Sequence, residues 1–215
     1  GKQDKRMATT ISRMSENSLP MIYLNMVGGQ DEIIFDGNSF ALNVGGELVS
    51  HLPSFAETVS IVTATTELGV NKLTGQVSKP EEGTSACYSA LMIGIRDYVE
   101  KNNFPGVVLG LSGGIDSALV AALAADAIGP EKVVAIMMPS QFTSDISLDD
   151  AKSLADNLGI DYKIIPIGNA MSEMDAMLAP YFMGTEIGVA EENIQSRSRG
   201  LTLMAYSNKF GPMVL

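Results

Sequence analysis

The chain has 215 residues, of which 46% are hydrophobic, and its formal net charge at pH 7 is −11. This length allows one or two domains with a packed core, and the acidic balance argues against a general nucleic-acid surface. No apolar run reaches the roughly 18 residues of a membrane span, so we expect no contact with a membrane. The single cysteine excludes an internal disulfide bond and favours a cytoplasmic location.

The first third of the sequence predicts short strands and turns after one helix. The predicted helix covers residues 4–15, and predicted strands cover 20–27, 48–51 and 58–64. Asp36-Gly37 stands between apolar runs at 33–35 and 39–42 and is typical of a hairpin turn. These strands cannot close a core alone, so we interpret residues 1–78 as part of a larger domain. Residues 68–83, with scattered Gly and Pro, read as a linker.

Two isolated side chains in this region could carry chemistry. His51 lies near Pro53 in a predicted loop, and we expect it at the surface. Cys87 lies in a predicted helix over 85–102 without a histidine nearby to activate it. We therefore expect Cys87 to be a buried structural thiol rather than a nucleophile.

The remaining sequence alternates strands with helices. Predicted strands cover 107–111, 132–138 and 161–166, and predicted helices cover 118–128, 147–158 and 191–209. Ser147 with Asp150 resembles a capping box, and Gly159 is a helix stop signal. Such alternation implies right-handed crossovers and a parallel sheet with helices on both faces. The predicted fold class is therefore α/β, in a domain covering residues 79–215.

One stretch of this domain predicts an anion site. The buried strand at 107–111 leads into a Ser-Gly-Gly turn and a helix amino end, where unpaired N–H groups and the helix dipole attract anions. We expect Gly113 and Gly114 to take positive φ, and Ser112 and Ser117 to add hydroxyl donors. A carboxylate at Asp116 would repel phosphate unless it holds a divalent cation. A bare Ser-Gly-Gly could equally be an ordinary tight turn, but the full string is more specific.

This stretch resembles the pyrophosphate loop, SGGxDS, of the N-type ATP pyrophosphatases. Those enzymes adenylate a carbonyl oxygen, release pyrophosphate, and let a nitrogen or sulfur nucleophile displace AMP. The resemblance implies bound ATP, with Mg²⁺ held by Asp116. The implied ATP-binding residues are Gly110, Leu111, Ser112, Gly113, Gly114, Ile115, Asp116 and Ser117. Ligands of parallel sheets bind beyond the carboxyl ends of strands, which places adenine beside Met138-Pro139-Ser140.

A second string opens the last predicted helix. Residues 191–199 resemble the EEN-x-Q-x-R-x-R stretch of NAD synthetases. The resemblance implies that Asn193 contacts deamido-NAD, with Arg197 and Arg199 as weaker candidates for its phosphates or for domain contacts. Asn193 and Arg197 are four residues apart and share one helix face. Taken alone, that face could be an ordinary solvated surface.

The amino-terminal part carries a separate resemblance. Residues 27–40, including Asp36-Gly37, resemble the carboxyl-terminal part of a nitrilase-like amidohydrolase domain, the glutaminase half of glutamine-dependent NAD synthetases. That domain is a four-layer αββα sandwich whose catalytic Glu, Lys and Cys are expected upstream of Gly1. Lys2 matches a basic residue that contacts glutamine in the family, although a solvated lysine at a helix start is as good an interpretation.

Together the two resemblances imply a glutamine-dependent NAD synthetase, a carbon-nitrogen ligase with glutamine as amido donor, whose members often form homo-oligomers. ATP would adenylate deamido-NAD, and ammonia from glutamine would give NAD and AMP. Other amidating pyrophosphatases, such as GMP or asparagine synthetase, use a different glutaminase, and tRNA-modifying members usually need basic surface. A non-catalytic nucleotide-binding fragment is the alternative from another class. We expect a polypeptide of these residues alone to be inactive.

Overall fold

The computed structural model describes residues 2–67, 70–186 and 188–215. The chain divides into two compact units, Gly1–Asp97 and Tyr98–Leu215. The division falls inside one helix, and the domain boundary expected near residue 78 stays a prediction. No helix in the described ranges is long and apolar enough to cross a membrane.

The first unit begins with a helix and continues with seven short strands. Its elements are α1 (Lys2–Asn17), β1 (Met21–Tyr23), β2 (Val27–Gln30), β3 (Ile33–Asp36), β4 (Phe40–Leu42), β5 (Leu48–His51), β6 (Thr63–Glu67), β7 (Val70–Thr74) and the first part of α2 (Gly83–Lys101). Antiparallel pairing gives the sheets β1-β4-β5, β2-β3 and β6-β7. Met14 of α1 packs with Phe40 and Leu42 of β4 in a small core. The apolar side of α1 therefore covers one face of the three-stranded sheet.

The hairpin expected at Asp36-Gly37 is wrong. β3 pairs with β2 across a turn at Asp31 (φ 51°), whereas β4 lies between β1 and β5. The Asp36 carboxylate accepts from Arg6 at 2.7 Å and from the Asn25 side chain at 3.0 Å. Gly37 has φ 67° and donates its N–H to the Met26 carbonyl. These contacts from other segments lead the chain out of β3 instead of folding it back on itself.

Other boundaries in this unit also differ from the sequence expectation. The predicted strand over 20–27 is split between β1 and β2, and the strand expected over 58–64 begins only at Thr63. β7 lies inside the predicted linker over 68–83, of which residues 68 and 69 fall outside the described part. β6 (TATTE) and β7 (VNKLT) are largely polar and lack the strict apolar alternation that sequence patterns detect.

The surface position expected for His51 is wrong. His51 ends β5 and is only 3% exposed, and its Nε2 lies 3.0 Å from the Gln3 amide nitrogen on α1. The buried thiol expected at Cys87 is wrong too, because Cys87 is exposed on α2. That helix instead buries Ile93 and Val99. Whether His51 or Cys87 is buried depends on packing between distant segments, and local residue patterns do not report that packing.

Burial of His51 gives the chain a pH-dependent stability. Desolvation lowers the pKa of His51, and the Ser78 backbone opposes this only in part. A lowered folded-state pKa means that the unfolded chain binds more protons as the pH falls, so the free energy of unfolding decreases below about pH 6.5. His51 is the only histidine. We expect urea unfolding to show a loss of stability from about pH 7 to 5.5 that His51→Gln reduces, and equal losses in both proteins would contradict this.

The second unit has a parallel sheet with helices between its strands. Its elements after α2 are β8 (Val107–Gly110), α3 (Ile115–Ile128), a 3₁₀ turn (Pro130–Lys132), β9 (Val133–Met137), α4 (Asp145–Leu158), β10 (Asp161–Ile164), α5 (Gly168–Phe182), α6 (Val189–Phe210) and β11 (Met213–Val214). The strand order is β10-β9-β8-β11, and all three pairings are parallel. The predicted alternation of strands and helices and the parallel sheet are confirmed. The helix α5 was not predicted from the sequence.

The central strand β8 is buried on both faces, which explains its continuous apolar sequence. Val107 and Val108 are fully buried and point to opposite sides. Val108 packs in a cluster that includes Met171 of α5 and Leu203 of α6. On the other side β8 meets α3, while α4 packs against β9 and β10. Fully buried small residues of these two helices permit close approach; these are Ala121, Ala124, Ala151 and Ala155.

The prediction for the amino end of α4 is wrong, whereas the prediction for its carboxyl end is correct. The N-cap is Ser144, whose side chain accepts from the Ser147 N–H, so the capping box expected from Ser147 and Asp150 is not the start of this helix. At the other end, Gly159 takes the left-handed conformation (φ 70°) as predicted. The helix therefore begins two residues earlier than the apolar pattern indicates, and its first turn packs against the loop after β8.

Candidate active site

The site lies where the order of the parallel strands reverses. After β8 the chain moves to β9 and β10 on one side, and β11 then pairs with the other side of β8. A crevice at the carboxyl ends of the strands is expected at such a reversal. The loop between β8 and α3 occupies this position, and its Leu111 N–H still donates to the Ile136 carbonyl at 3.0 Å. The sheet therefore fixes the start of the loop.

Two serine hydroxyls fold the loop. Ser112 Oγ and Ser117 Oγ are 3.0 Å apart, and Ser117 Oγ also accepts from the Ser112 N–H at 3.2 Å. Gly114 N–H donates to Ser112 Oγ at 3.3 Å, and Ser117 Oγ donates to the Gly114 carbonyl at 3.0 Å. No side chain caps the amino end of α3. First-turn N–H groups of a helix have no acceptor within it, so the amino end of α3 presents donors to an anion.

The two loop glycines have different roles. Gly113 has φ 79°, and a Cβ built on it would lie 2.4 Å from the Ser147 carbonyl oxygen. Only glycine fits there, because α4 packs directly against the loop backbone. Gly114 is extended (φ −91°, ψ 159°). The expectation of positive φ is therefore correct for Gly113 and wrong for Gly114.

Asp116 lies in the first turn of α3 and is exposed. Among the residues that the structure describes, no three His, Cys, Asp or Glu side chains come close enough together to hold a metal ion. One carboxylate is nevertheless compatible with Mg²⁺, which commonly binds through one or two protein carboxylates, water and substrate phosphates. Asp116 beside the predicted phosphate loop fits that pattern.

A cavity of about 630 Å³ adjoins the loop. This volume is within the range of small-molecule and cofactor sites. The walls come from β8 and its loop, from the end of β9 and the segment after it, from the start of α4, and from α6; they include Gly110, Leu111, Ser112, Met137, Met138, Phe142, Thr143, Ser144, Ser147, Gln195, Ser196, Arg199, Gly200 and Leu203. The cavity extends from the predicted phosphate loop to the predicted adenine region.

The structure places the three predicted residues of α6 differently. Arg199 lines the cavity, donating from Nε to the Met138 carbonyl at 3.3 Å and from a terminal nitrogen to Gln195 Oε1 at 3.0 Å. Asn193 and Arg197 are exposed outside the cavity walls. Lys2 begins α1, and its side chain lies outside the described part of the chain. Whether these residues bind substrates stays a prediction.

Sequence reasoning missed Gln195, which also lines the cavity. Ser140 Oγ donates to Gln195 Oε1 at 2.6 Å. The sequence did indicate that Gln195 lies beside Arg199, because residues four apart share a helix face. Glu191, in the same string, has a structural role: its carboxylate accepts from the Gly188 N–H at 2.7 Å at the start of α6, and this hydrogen bond lowers the pKa of Glu191.

Comparisons with known proteins agree with this geometry. Residues 87–215 match the family described as NAD synthase. The chain is 47% identical over 200 residues to a protein of Synechocystis sp. named glutamine-dependent NAD(+) synthetase, covering 92% of this chain and 36% of that protein. It is 47% identical over 218 residues to a protein of the same name from Rhodobacter capsulatus, covering 100% of this chain and 39% of that protein.

A solved structure gives the same result. A glutamine-dependent NAD+ synthetase from Acinetobacter baumannii, in complex with adenosine diphosphate, matches with a TM-score of 0.91 and 42% identity over 100% of this chain and 40% of that one. The chain thus spans about two fifths of the length of these relatives. The predicted fold class, an α/β ATP pyrophosphatase fold preceded by a nitrilase-like part, is confirmed. The chain belongs to the NAD synthase family.

Proposed function

We propose that this chain is the nucleotide-binding segment of a glutamine-dependent NAD synthetase. The observation that carries the proposal is the loop between β8 and α3, which reaches the cavity through Ser112 at the strand reversal, in a chain of the NAD synthase family. In the proposed reaction, the nicotinate carboxylate of deamido-NAD attacks the α-phosphorus of ATP and pyrophosphate leaves. Ammonia then attacks the acyl carbon of the adenylate, AMP leaves, and NAD is formed.

The residues of the second unit have separate tasks in this proposal. Loop N–H groups and the amino end of α3 bind the ATP phosphates, and the cavity holds the nucleoside. Asp116 would hold Mg²⁺ together with phosphate oxygens, and the ion would neutralise charge on the leaving pyrophosphate. The described walls contain no Asp, Glu or His that could act as a general base. Neutral ammonia is itself a nucleophile, so orientation of the reactants can carry the second step.

The remaining ligands are assigned by the family resemblance. We propose that Asn193 contacts deamido-NAD from the exposed face of α6, with Arg197 and Arg199 as weaker candidates for its phosphates or for domain contacts, and that Lys2 contacts glutamine. The glutaminase triad would be contributed from outside these residues. We further propose a homo-oligomeric, cytoplasmic enzyme. A nucleotide-binding fragment without activity of its own is the second candidate, favoured by the chain spanning only two fifths of its relatives.

Two measurements test the proposal. Calorimetric titration of the 215-residue chain with ATP and ADP should show binding, while GTP should bind more weakly. Pyrophosphate release is then assayed in a protein of the relatives' length that carries this sequence, with glutamine, Mg²⁺, and either deamido-NAD or xanthosine monophosphate. We expect release only with deamido-NAD. Release with neither acceptor would contradict the substrate assignment, and glutaminase turnover by the 215 residues alone would contradict their expected inactivity.

A further inference from the structure

Gln195 has an unusual set of contacts for a residue in a cavity wall. It is half-buried on α6, and its side-chain oxygen accepts two hydrogen bonds, from Ser140 Oγ at 2.6 Å and from Arg199 at 3.0 Å. Arg199 and Ser140 each make a further hydrogen bond to the backbone. Arg199 Nε donates to the Met138 carbonyl, and Ser140 Oγ accepts from the Phe142 N–H at 3.3 Å.

These contacts settle which way the amide of Gln195 points. An arginine side chain can only donate hydrogen bonds, so the atom facing Arg199 must be the amide oxygen and not the nitrogen. The NH₂ group then lies on the opposite side of the amide. Among the described residues the structure gives this NH₂ group no hydrogen bond, and Gln195 lines the cavity. The wall therefore presents a donor whose direction is fixed by two other side chains.

The position of Gln195 in the cavity indicates which part of a bound nucleotide its NH₂ group would contact. The loop between β8 and α3 reaches the cavity through Ser112, while Gln195 is bonded to Ser140, in the segment that follows β9. Resting on the proposed function, we infer that Gln195 is a specificity-determining residue whose amide NH₂ donates to an acceptor on the base or ribose of the bound adenine nucleotide. Arg199 is its positioning residue, because the guanidinium contacts Gln195 and the Met138 carbonyl.

Gln195→Glu tests this inference with little change in shape. A carboxylate still accepts from Ser140 and Arg199, so the wall keeps its hydrogen bonds, but the NH₂ donor becomes an acceptor. Adenosine is the main probe, because it has no phosphate charge that the new carboxylate could repel. Titration calorimetry of the full 215-residue chain should show adenosine affinity falling about tenfold, with inorganic pyrophosphate affinity changing less than about threefold.

Gln141→Glu is the matched control. Gln141 is exposed next to Ser140 but does not line the cavity, so this variant adds the same charge nearby and should leave adenosine affinity unchanged. Circular dichroism and thermal melting establish that each variant is folded. As a second variant, Ser140→Ala removes one donor to Gln195 and leaves the NH₂ group in place, so adenosine affinity should fall less than in Gln195→Glu.

The outcomes separate the two proposals. Adenosine affinity that is unchanged in folded Gln195→Glu would overturn the inference, because it would leave Gln195 a purely structural member of the wall. Equal losses for adenosine and pyrophosphate would also overturn it, since they indicate a general disturbance of the site. If the unmodified chain binds neither ATP nor ADP, the proposed function fails first and the inference fails with it.

Discussion

Gly113→Ala is expected to lower the stability of the second unit and to abolish ATP binding by the chain. The methyl group would lie 2.4 Å from the Ser147 carbonyl oxygen and 2.8 Å from Ser147 Cα, and the backbone has φ 79°. A left-handed non-glycine residue costs about 1–2 kcal/mol, and overpacking against backbone costs about 1–3 kcal/mol more. The loop must therefore move to accommodate the methyl group, which removes donors from the anion site. Urea unfolding and ATP calorimetry measure the two effects.

Gly114→Ala is the control on the neighbouring residue. Gly114 is extended, and the nearest atom to an added Cβ is Ser112 Oγ at 3.3 Å, which belongs to a small side chain. We expect its stability to change by less than about 1 kcal/mol, within the usual range for unstrained surface substitutions. Equal destabilisation by both alanines would show that the packing of α4 against the loop is not what demands glycine at position 113.

Asp116→Asn is expected to remove the response of the site to Mg²⁺ without affecting folding. Asp116 is exposed in the first turn of α3, and asparagine keeps its shape but not its charge. In a protein of the relatives' length that carries this sequence, pyrophosphate release should fall by about two to three orders of magnitude, as when a preorganised electrostatic contact is removed. In the 215-residue chain, Mg²⁺ should strengthen ADP binding only when Asp116 is intact, which calorimetry with and without Mg²⁺ measures.

Asp149→Asn serves as the charge-matched control for that experiment. Asp149 is exposed on α4, outside the loop between β8 and α3 and the first turn of α3, so removing its charge should leave both the Mg²⁺ effect and the rate of release unchanged. If Mg²⁺ strengthens ADP binding to the Asp116→Asn chain as much as to the unmodified chain, the ion is held by other groups and the assignment of Asp116 is wrong.

Sequence reasoning was most successful where local signals and tertiary packing agree. β8 is buried on both faces, so its run of apolar residues is a strand signal in itself, and Gly159 needs only its own backbone conformation to end α4. The structure of the first unit was harder to predict from the sequence. Asp36-Gly37 has the composition of a hairpin turn, but Arg6, thirty residues away along the chain, binds the carboxylate and redirects the backbone.

In the candidate site, too, local features could be predicted from the sequence and contacts between distant segments could not. The loop between β8 and α3 could be located from the sequence because the chain supplies its parts within eight consecutive residues, from Gly110 to Ser117. That this loop binds an anion stays a prediction. Gln195 could not be recognised in this way, because its orientation depends on Ser140, which is 55 residues away along the chain. A hydrogen bond across that separation exists only once β9 and α6 are packed on the sheet, and no spacing rule reports it.

The close packing at Gly113 also has a mechanical consequence. Because the loop backbone and the Ser147 backbone approach each other with no side chain between them, there is no flexible group to absorb a small displacement, and closely packed interiors transmit strain. A shift of the loop of even a few tenths of an ångström must therefore be shared by the first turn of α4. That turn holds Ser144 and Ser147, which also line the cavity. The loop and the side wall of the cavity are therefore expected to move together.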